Sequence, residues 1–181
     1  MQQAIAAARA ETNALLASAA PDREALAAAG RVAAGADTVT VTGRAWMDRE
    51  VFTSQLADRH RGWDWLSLQL DDGRNLMYYQ LRRTDGSTDR HSSGSLSDSG
   101  GLQRRLTPAD VTLSPLAHWN TGDRRYPVEW RLQLQGEPHP WRVRALLEHQ
   151  EMRLSVRYWE GAVAVSGSHR GMGYLEMSGY R

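Results

Sequence analysis

The chain has 181 residues, of which 41% are hydrophobic and 24% charged, and this is the composition of a soluble globular protein of about one domain. It contains no cysteine and its 22 basic residues are all arginine, which excludes disulfides, a thiol nucleophile, a Schiff-base lysine and a phosphate-binding loop of the Walker type. The formal net charge is only +1, and acids are mixed with arginines along the chain, which argues against a nucleic-acid partner.

Residues 1–35 are rich in alanine and are predicted to be helical. Small and apolar residues recur there at roughly helical spacing: Ile5, Ala8, Thr12, Leu15, Leu16 and Ala19. Pro21 and Asp22 interrupt this pattern and are predicted to start a second short helix, which runs through Leu26 to about Ala29 and is ended by Gly30. The segment lacks a basic start followed by a leucine-rich core, so we predict no signal peptide, and the compartment, cytoplasmic or periplasmic, stays open.

After residue 36 the pattern changes to that of strands. Residues 38–42 alternate threonine with valine, which predicts a strand. Residues 63–70 predict another, with one face formed by Asp64, Leu66, Leu68 and Leu70. A turn at residues 71–73 and a returning strand at 75–83 complete a predicted hairpin.

Residues 84–101 are rich in serine, glycine and aspartate and are predicted to be a loop with one short strand near residues 95–97. Further strands are predicted at residues 111–119, 128–134, 141–147, 157–166 and 171–180. About eight or nine short strands without crossover helices predict an all-β, antiparallel barrel or sandwich over residues 36–181. No run approaches the roughly 18 apolar residues of a membrane span, so stable membrane insertion is not expected.

Familiar catalytic and metal-binding motifs are absent from the sequence. The segment closest to a nucleophile elbow, Gly167–Gly171, has a histidine at its centre and lies in a predicted hairpin turn. No histidine pair has the spacing of a metal site, and there is no glycine-rich dinucleotide loop. We therefore predict neither a metal nor a cofactor.

Three local clusters could carry chemistry. In an extended chain, Trp46, Asp48 and Glu50 lie on one face, and two adjacent carboxyl groups can raise one pKa enough to make a general acid. The alternative is an exposed strand whose acids pair with Arg44.

In the second cluster, Gly62–Trp65, two indoles lie on one face of the strand and a carboxylate lies on the other. These residues could be part of the core or could form the wall of a ligand site.

The third cluster, Tyr158–Ala162, places a carboxylate beside aromatic residues in a strand that is otherwise apolar. If that acid, Glu160, is buried, it needs a partner, and an arginine is the residue we expect.

Five segments have an order and separation that are specific as a set: Trp46–Glu50, Gly62–Gly73, Arg125–Trp130, Tyr158–Gly167 and Gly173–Tyr180. This set resembles the lipocalin-like AttH and carotenoid 1,2-hydratase family over about residues 36–181. The resemblance implies a lipocalin-like β-barrel. Because members of that family usually have two such barrels, it also implies that the partner barrel is missing here and that the helical segment of residues 1–35 stands in its place.

The resemblance is closer to the AttH branch, because Arg49 and Val51 stand where the carotenoid-hydrating branch prefers histidine and tryptophan. We rank first the binding of an apolar ligand, such as a lipid, terpenoid or carotenoid-like molecule, by a carrier or an accessory to an export system such as an ABC transporter. A second copy or the missing barrel is the expected protein partner. The predicted ligand-binding residues are Trp46, Trp63, Asp64, Trp65, Tyr79, Tyr158 and Trp159.

The alternative is a hydratase or hydrolase type of enzyme. Asp48 would protonate an alkene of an apolar substrate, Glu50 or Glu160 would tune its acidity, and aromatic rings would stabilise the cation.

Overall fold

A computed structural model describes residues 25–46 and 56–181 of the chain, which divides into two units, residues 1–51 and 52–181. In the first unit, strand β1 (Ala25–Ala34) pairs antiparallel with strand β2 (Asp37–Trp46). The two-residue turn between them begins with Gly35, whose φ of 67° suits a hairpin turn with glycine at its first position. Strand β2 confirms the strand predicted at residues 38–42.

The second predicted helix is wrong over Leu26 to Ala29, because these residues belong to β1. Alanine favours helix by a fraction of a kcal/mol, roughly 0.7 at most over ordinary residues. That local preference is overridden here by continuous pairing with a strand rich in β-branched residues. The helix predicted for residues 1–24 lies outside the described residues, and a domain boundary at residue 35 stays a prediction.

Within its described residues, 56–181, the second unit contains ten antiparallel strands. They are β3 (His60–Leu70), β4 (Asn75–Arg83), β5 (Ser93–Ser97), β6 (Gln103–Leu106), β7 (Val111–Thr121), β8 (Arg124–Leu134), β9 (Trp141–Ala145), β10 (Glu151–Arg153), β11 (Arg157–Gly167) and β12 (Gly171–Ser178). Nine of them follow one another across the sheet in the order β6-β5-β4-β3-β12-β11-β9-β8-β7. The short β10 pairs with one end of β11, while β9 pairs with the other end.

This sheet is a strongly curled half-barrel. Its two edges, β6 and β7, are consecutive in the chain but are not hydrogen-bonded to each other. The all-β, antiparallel class is therefore confirmed, whereas the described part of residues 36–181 has eleven strands and not the eight or nine that were predicted. No helix that could cross a membrane occurs in the part of the chain that the structure describes.

One apolar cluster fills the concave face of the sheet. Leu66, Leu68 and Leu70 of β3 are buried in it, as the predicted alternation requires. Leu106 of β6 and Leu134 of β8 belong to the same cluster, although their strands lie near opposite ends of the sheet. The curl brings both ends of the sheet onto one core.

The sequence analysis missed strands β6 and β10. They have four and three residues, and both are rich in charged or polar side chains, so neither shows an apolar alternation. Their pairing partners, rather than their own residues, place them in the sheet.

A polar network connects three hairpin turns at one end of the sheet. Arg74 lies between two acids: its Nη2 is 2.8 Å from Oδ2 of Asp72 and its Nη1 is 2.6 Å from Oε1 of Glu137. The His169 ring is 2.9 Å from Oε2 of Glu137 and packs edge-on against Trp141. Burial disfavours ionisation of Glu137, but the hydrogen bonds from Arg74 and His169 outweigh it and hold the pKa of Glu137 below its ordinary value.

This network predicts how stability depends on acid. A carboxyl whose folded pKa lies below its unfolded value adds stability that is present above the unfolded pKa and is lost as the pH falls through the folded pKa. The unfolding free energy should fall between neutral pH and pH about 3, and we expect it to fall less in Glu137→Gln than in the unaltered chain when both are measured by urea denaturation. The exposed Glu148 provides the control, because Glu148→Gln should leave that loss unchanged. An unaltered acid dependence in Glu137→Gln would contradict the assignment.

Candidate functional site

Four of the five sequence segments meet where β12 pairs with β3 on one side and with β11 on the other. Strand β3 contributes Gly62–Trp65, β11 contributes Tyr158–Gly161, and β12 with the residues after it contributes Gly173–Tyr180. Tyr126 of β8 reaches the same region, with its ring centroid 5.6 Å from that of Tyr180. We call this region the β3–β12 junction. Its two faces differ in chemistry.

On the core face, the junction holds a buried carboxylate. Asp64 is fully buried, and its Oδ1 accepts a hydrogen bond of 2.8 Å from the Tyr180 hydroxyl. Its Oδ2 lies 3.0 Å from Nε of Arg82 in an ion pair, and Gln80 donates a longer hydrogen bond of 3.5 Å. A buried charge needs such partners, because it has lost its contact with water.

Arg82 connects this carboxylate to the C-terminal segment. Its guanidinium lies 3.9 Å from the centroid of the Tyr180 ring, which is a cation–π contact. It also donates hydrogen bonds to the backbone carbonyls of Trp63 and Ser178. One arginine thus binds β3, the end of β12 and the tyrosine beyond it.

Two glycines allow this close approach. A Cβ at Gly62 would overlap the backbone carbonyl of Ser178, and one at Gly179 would overlap the carbonyl of Arg61. Gly179 also has a φ of 75°, a conformation that other residues rarely adopt. The glycines of both sequence segments are therefore required by packing at the junction.

Burial controls the titration of this cluster. It raises the pKa of Asp64, and the Arg82 charge and the Tyr180 hydrogen bond offset that rise only in part. Burial, together with the Asp64 charge, also raises the pKa of Tyr180, so the phenol keeps its proton and remains the donor. Because the folded pKa of Asp64 is raised, its contribution to stability is complete at low pH and declines as the pH rises through that pKa.

The opposite face of the junction is aromatic and acidic. The strand register places Trp65 directly beside Tyr79 of β4 on one side and beside Glu176 of β12 on the other. Glu176 in turn lies opposite Glu160 of β11. All four side chains are half-buried. A row of aromatic and carboxylate groups therefore crosses four strands.

Hydrogen bonds fix the carboxylates of this row to neighbouring rings. The indole nitrogen of Trp63 donates to Oε1 of Glu176 at 2.8 Å, and the Tyr174 hydroxyl donates to Oε2 of Glu160 at 3.0 Å. The rings of Trp63 and Tyr158 are in tilted contact, with centroids 5.9 Å apart. We call this surface the aromatic face; it comprises Trp63, Trp65, Tyr79, Tyr158, Glu160, Tyr174 and Glu176.

The predicted site residues fall into three groups. Five lie together on the aromatic face: Trp63, Trp65, Tyr79, Tyr158 and Glu160. Asp64 and Trp159 lie on the core face and are fully buried, and the Trp159 indole donates to the carbonyl of Glu148 at 2.6 Å. Trp46 ends β2 in the other unit, and Asp48 and Glu50 lie outside the described residues.

Sequence reasoning missed Arg82, Tyr180, Tyr174 and Glu176 as members of the junction. It anticipated that a buried acid would need an arginine and attached this expectation to Glu160, but it did not assign one to the fully buried Asp64, which pairs with Arg82. Glu160 has a tyrosine hydroxyl as a partner. The alternation along β3 could have shown this, because Asp64 lies on the same face of the strand as Leu66, Leu68 and Leu70. No group of three or more metal-binding side chains occurs within residues 25–46 and 56–181.

A matched pair of tyrosines tests the Asp64 contact. The Tyr180 hydroxyl donates to a buried carboxylate, whereas the buried Tyr78 hydroxyl has no hydrogen-bond partner among the described residues. We expect Tyr180→Phe to lower the unfolding free energy by about 1.5–3 kcal/mol, and Tyr78→Phe to be neutral or stabilising. Urea denaturation of both variants measures the difference, and equal effects would contradict it.

The ion pair itself is tested by a double-mutant cycle on Asp64 and Arg82. Each single change to leucine leaves an unpaired buried charge and should cost about 3–5 kcal/mol. The double variant should cost clearly less than the sum, because no charge is left behind. Additive effects would show that the two groups do not depend on each other. Asp123→Asn, which removes the partner of Arg157 in an exposed pair, should cost less than about 1 kcal/mol.

The chain resembles known proteins along almost its whole length. The family model described as AttH-like matches residues 8–180. The crystal structure of a candidate AttH protein, NE1406 from Nitrosomonas europaea, superposes with a TM-score of 0.80 at 35% sequence identity. The match covers 88% of this chain and 51% of that one, so the chain spans about half the length of this relative. The comparison with curated proteins finds no match. On this evidence the chain belongs to the AttH-like family.

Proposed function

We propose that this AttH-like domain binds an apolar ligand, of the lipid, terpenoid or carotenoid type, on the aromatic face. The observation that carries the proposal is the convergence of five predicted residues from three strands on one half-buried surface of the sheet. Aromatic rings provide much apolar area with little conformational entropy to lose, which suits them to binding flat or extended apolar molecules.

The aromatic face differs from the rest of the sheet surface that lies away from the core. On β8 and β9 the corresponding positions are Glu129, Arg131, Gln133, Arg142 and Arg144, as is ordinary for the solvated side of an antiparallel sheet. Packing within the sheet does not require aromatic residues on that side. A concentration of tryptophan and tyrosine on it therefore supports an interaction with an apolar molecule.

The carboxylates of the aromatic face support a binding role as well. Glu176 and Glu160 each accept a hydrogen bond from a ring-bearing side chain, Trp63 and Tyr174 respectively, and so hold these rings in fixed orientations. Rings that are already oriented lose less entropy when a ligand binds.

Catalysis through Asp48 remains the alternative, and no contact among the described residues favours it over binding. Association with a second copy, with another barrel or with an ABC transporter likewise remains a prediction. The ligand is expected to be apolar whether the domain is a carrier or an enzyme.

The binding proposal is tested with Nile red, a neutral apolar fluorophore, and with native mass spectrometry of the purified chain for co-purified lipid. We expect Trp65→Ala and Tyr79→Ala each to weaken Nile red binding by about tenfold, because each removes one ring of a directly opposed pair. Trp119→Ala is the matched control, since Trp119 is a half-buried tryptophan on edge strand β7.

Circular dichroism verifies that the variants are folded. The proposal fails if the unaltered chain binds neither Nile red nor a lipid, or if Trp119→Ala weakens binding as much as Trp65→Ala does.

A further inference from the structure

A pocket with an excess of positive charge lies where β3 begins and β4 ends. It has a volume of about 380 Å³ and is lined by Arg59, Arg83, Asp89, Arg90 and His91. The loop between β4 and β5 provides three of these residues. Three guanidinium groups surround a single carboxylate, so the pocket has an excess of about two positive charges.

Asp89 is occupied by protein donors. Its side chain is only 3% exposed, and its Oδ1 accepts hydrogen bonds from the backbone amide of His91 at 2.9 Å and from the His91 ring at 2.8 Å. Its Oδ2 lies 3.0 Å from the His60 ring and 3.4 Å from Nε of Arg59. Since its oxygens already accept these bonds, Asp89 has little capacity left for the remaining donors of the arginines.

The arginines of the pocket keep most of their donors available. Arg59 and Arg83 approach Asp89 only through Nε, at 3.4 and 3.7 Å, and their terminal nitrogens have no partner among the described residues. Arg90 has no ion pair within the same residues. The side chains of Arg59 and Arg83 are 50% and 42% exposed, so a solute can reach them. The other acid near Arg83, Asp85, accepts hydrogen bonds from Ser87.

Planar guanidinium groups with free terminal N–H donors match the geometry of carboxylate and phosphate oxygens. An oxyanion in this pocket could therefore accept several charge-assisted hydrogen bonds at once. Asp89 would hold the arginines in place from the buried side.

One residue of the pocket, Arg83, lies on the same face of β4 as the aromatic face. Arg83 lies on the same face of this strand as Leu81 and Tyr79, two and four residues away. At about 3.3 Å per residue, Arg83 is roughly 13 Å from Tyr79 along the strand. An extended molecule of ordinary lipid size can span that distance.

We propose that the arginine pocket binds the carboxylate or phosphate head group of an acidic amphiphile whose apolar part lies on the aromatic face. This inference rests on the proposed function and adds a ligand class to it. It assigns the apolar chain to Trp65 and Tyr79, and the anionic group to Arg59, Arg83 and Arg90.

The experiment compares two competitors of equal chain length for Nile red bound to the full chain. Dodecanoate and dodecan-1-ol differ only in the anionic group, and both are used below their aggregation concentrations. We expect dodecanoate to displace Nile red at about a tenfold lower concentration than dodecan-1-ol. In the double variant Arg59→Gln/Arg90→Gln, dodecanoate should lose this advantage, while the displacement of Nile red by dodecan-1-ol should stay unchanged. Arg131→Gln, an exposed arginine of β8, should behave like the unaltered chain.

In a separate experiment, inorganic phosphate is titrated into the full chain by calorimetry to test whether the pocket binds a free anion. Equal displacement by dodecanoate and dodecan-1-ol in the unaltered chain would overturn the head-group inference and leave the proposed apolar binding intact. If the unaltered chain binds neither Nile red nor a lipid, the proposed function fails. Phosphate binding that depends on Arg59 and Arg90 would then identify a free-anion site and overturn the amphiphile. Phosphate that competes with dodecanoate but not with dodecan-1-ol supports the inference.

Discussion

Strand β3 pairs with β12, which follows it by about a hundred residues in the chain, and this pairing holds the sheet of the second unit together. One side of the sheet consists of β3 to β6 and the other of β7 to β12, and among the described strands this pairing joins the two sides. Asp64, Arg82 and Tyr180 reinforce it from the core side, and Gly62 and Gly179 allow the backbones to approach. Without this connection, the apolar residues of the two halves would not share one core.

Strand β3 also places the residues that pack in the core and the residues of the candidate site on opposite faces. Alternation along β3 directs Asp64 and the leucines toward the core and directs Trp63 and Trp65 to the opposite face. Residues that are adjacent in the chain therefore act in different environments. Changes on the core face should act through stability, and changes on the aromatic face should act through binding.

The buried charges of this domain respond to pH in opposite directions. Asp64 has a raised pKa because burial outweighs its partners, so its ionisation opposes folding at neutral pH. Glu137 has a lowered pKa because Arg74 and His169 outweigh burial there. At Asp89 the backbone amide of His91, followed by the His60 ring, also lowers the pKa, so this carboxylate remains charged beside the arginines. The number and quality of the donors around each carboxylate, rather than burial alone, separate these cases.

Features that depend on local backbone geometry can be predicted from the sequence alone. The alternation of β3, the turn and returning strand β4, and the strand at residues 38–42 follow from side-chain parity and turn residues within a few positions, and the structure confirms them. The set of segments that resembles the AttH family was also visible in the sequence, and the comparisons confirm that membership. Five of the predicted site residues do lie together on one face.

Which distant residues come into contact depends on the order of the strands in the folded sheet. Alanine-rich β1 is a strand because β2 pairs with it, and no local preference of its own residues reveals that. Asp64 and Tyr180 are 116 residues apart in the chain, and their contact exists because β12 returns to β3. The arginine pocket likewise depends on the loop before β5 folding back onto the start of β3. The alternation along a strand determines which face a side chain occupies, but the order of the strands in the sheet determines which residues lie beside that side chain.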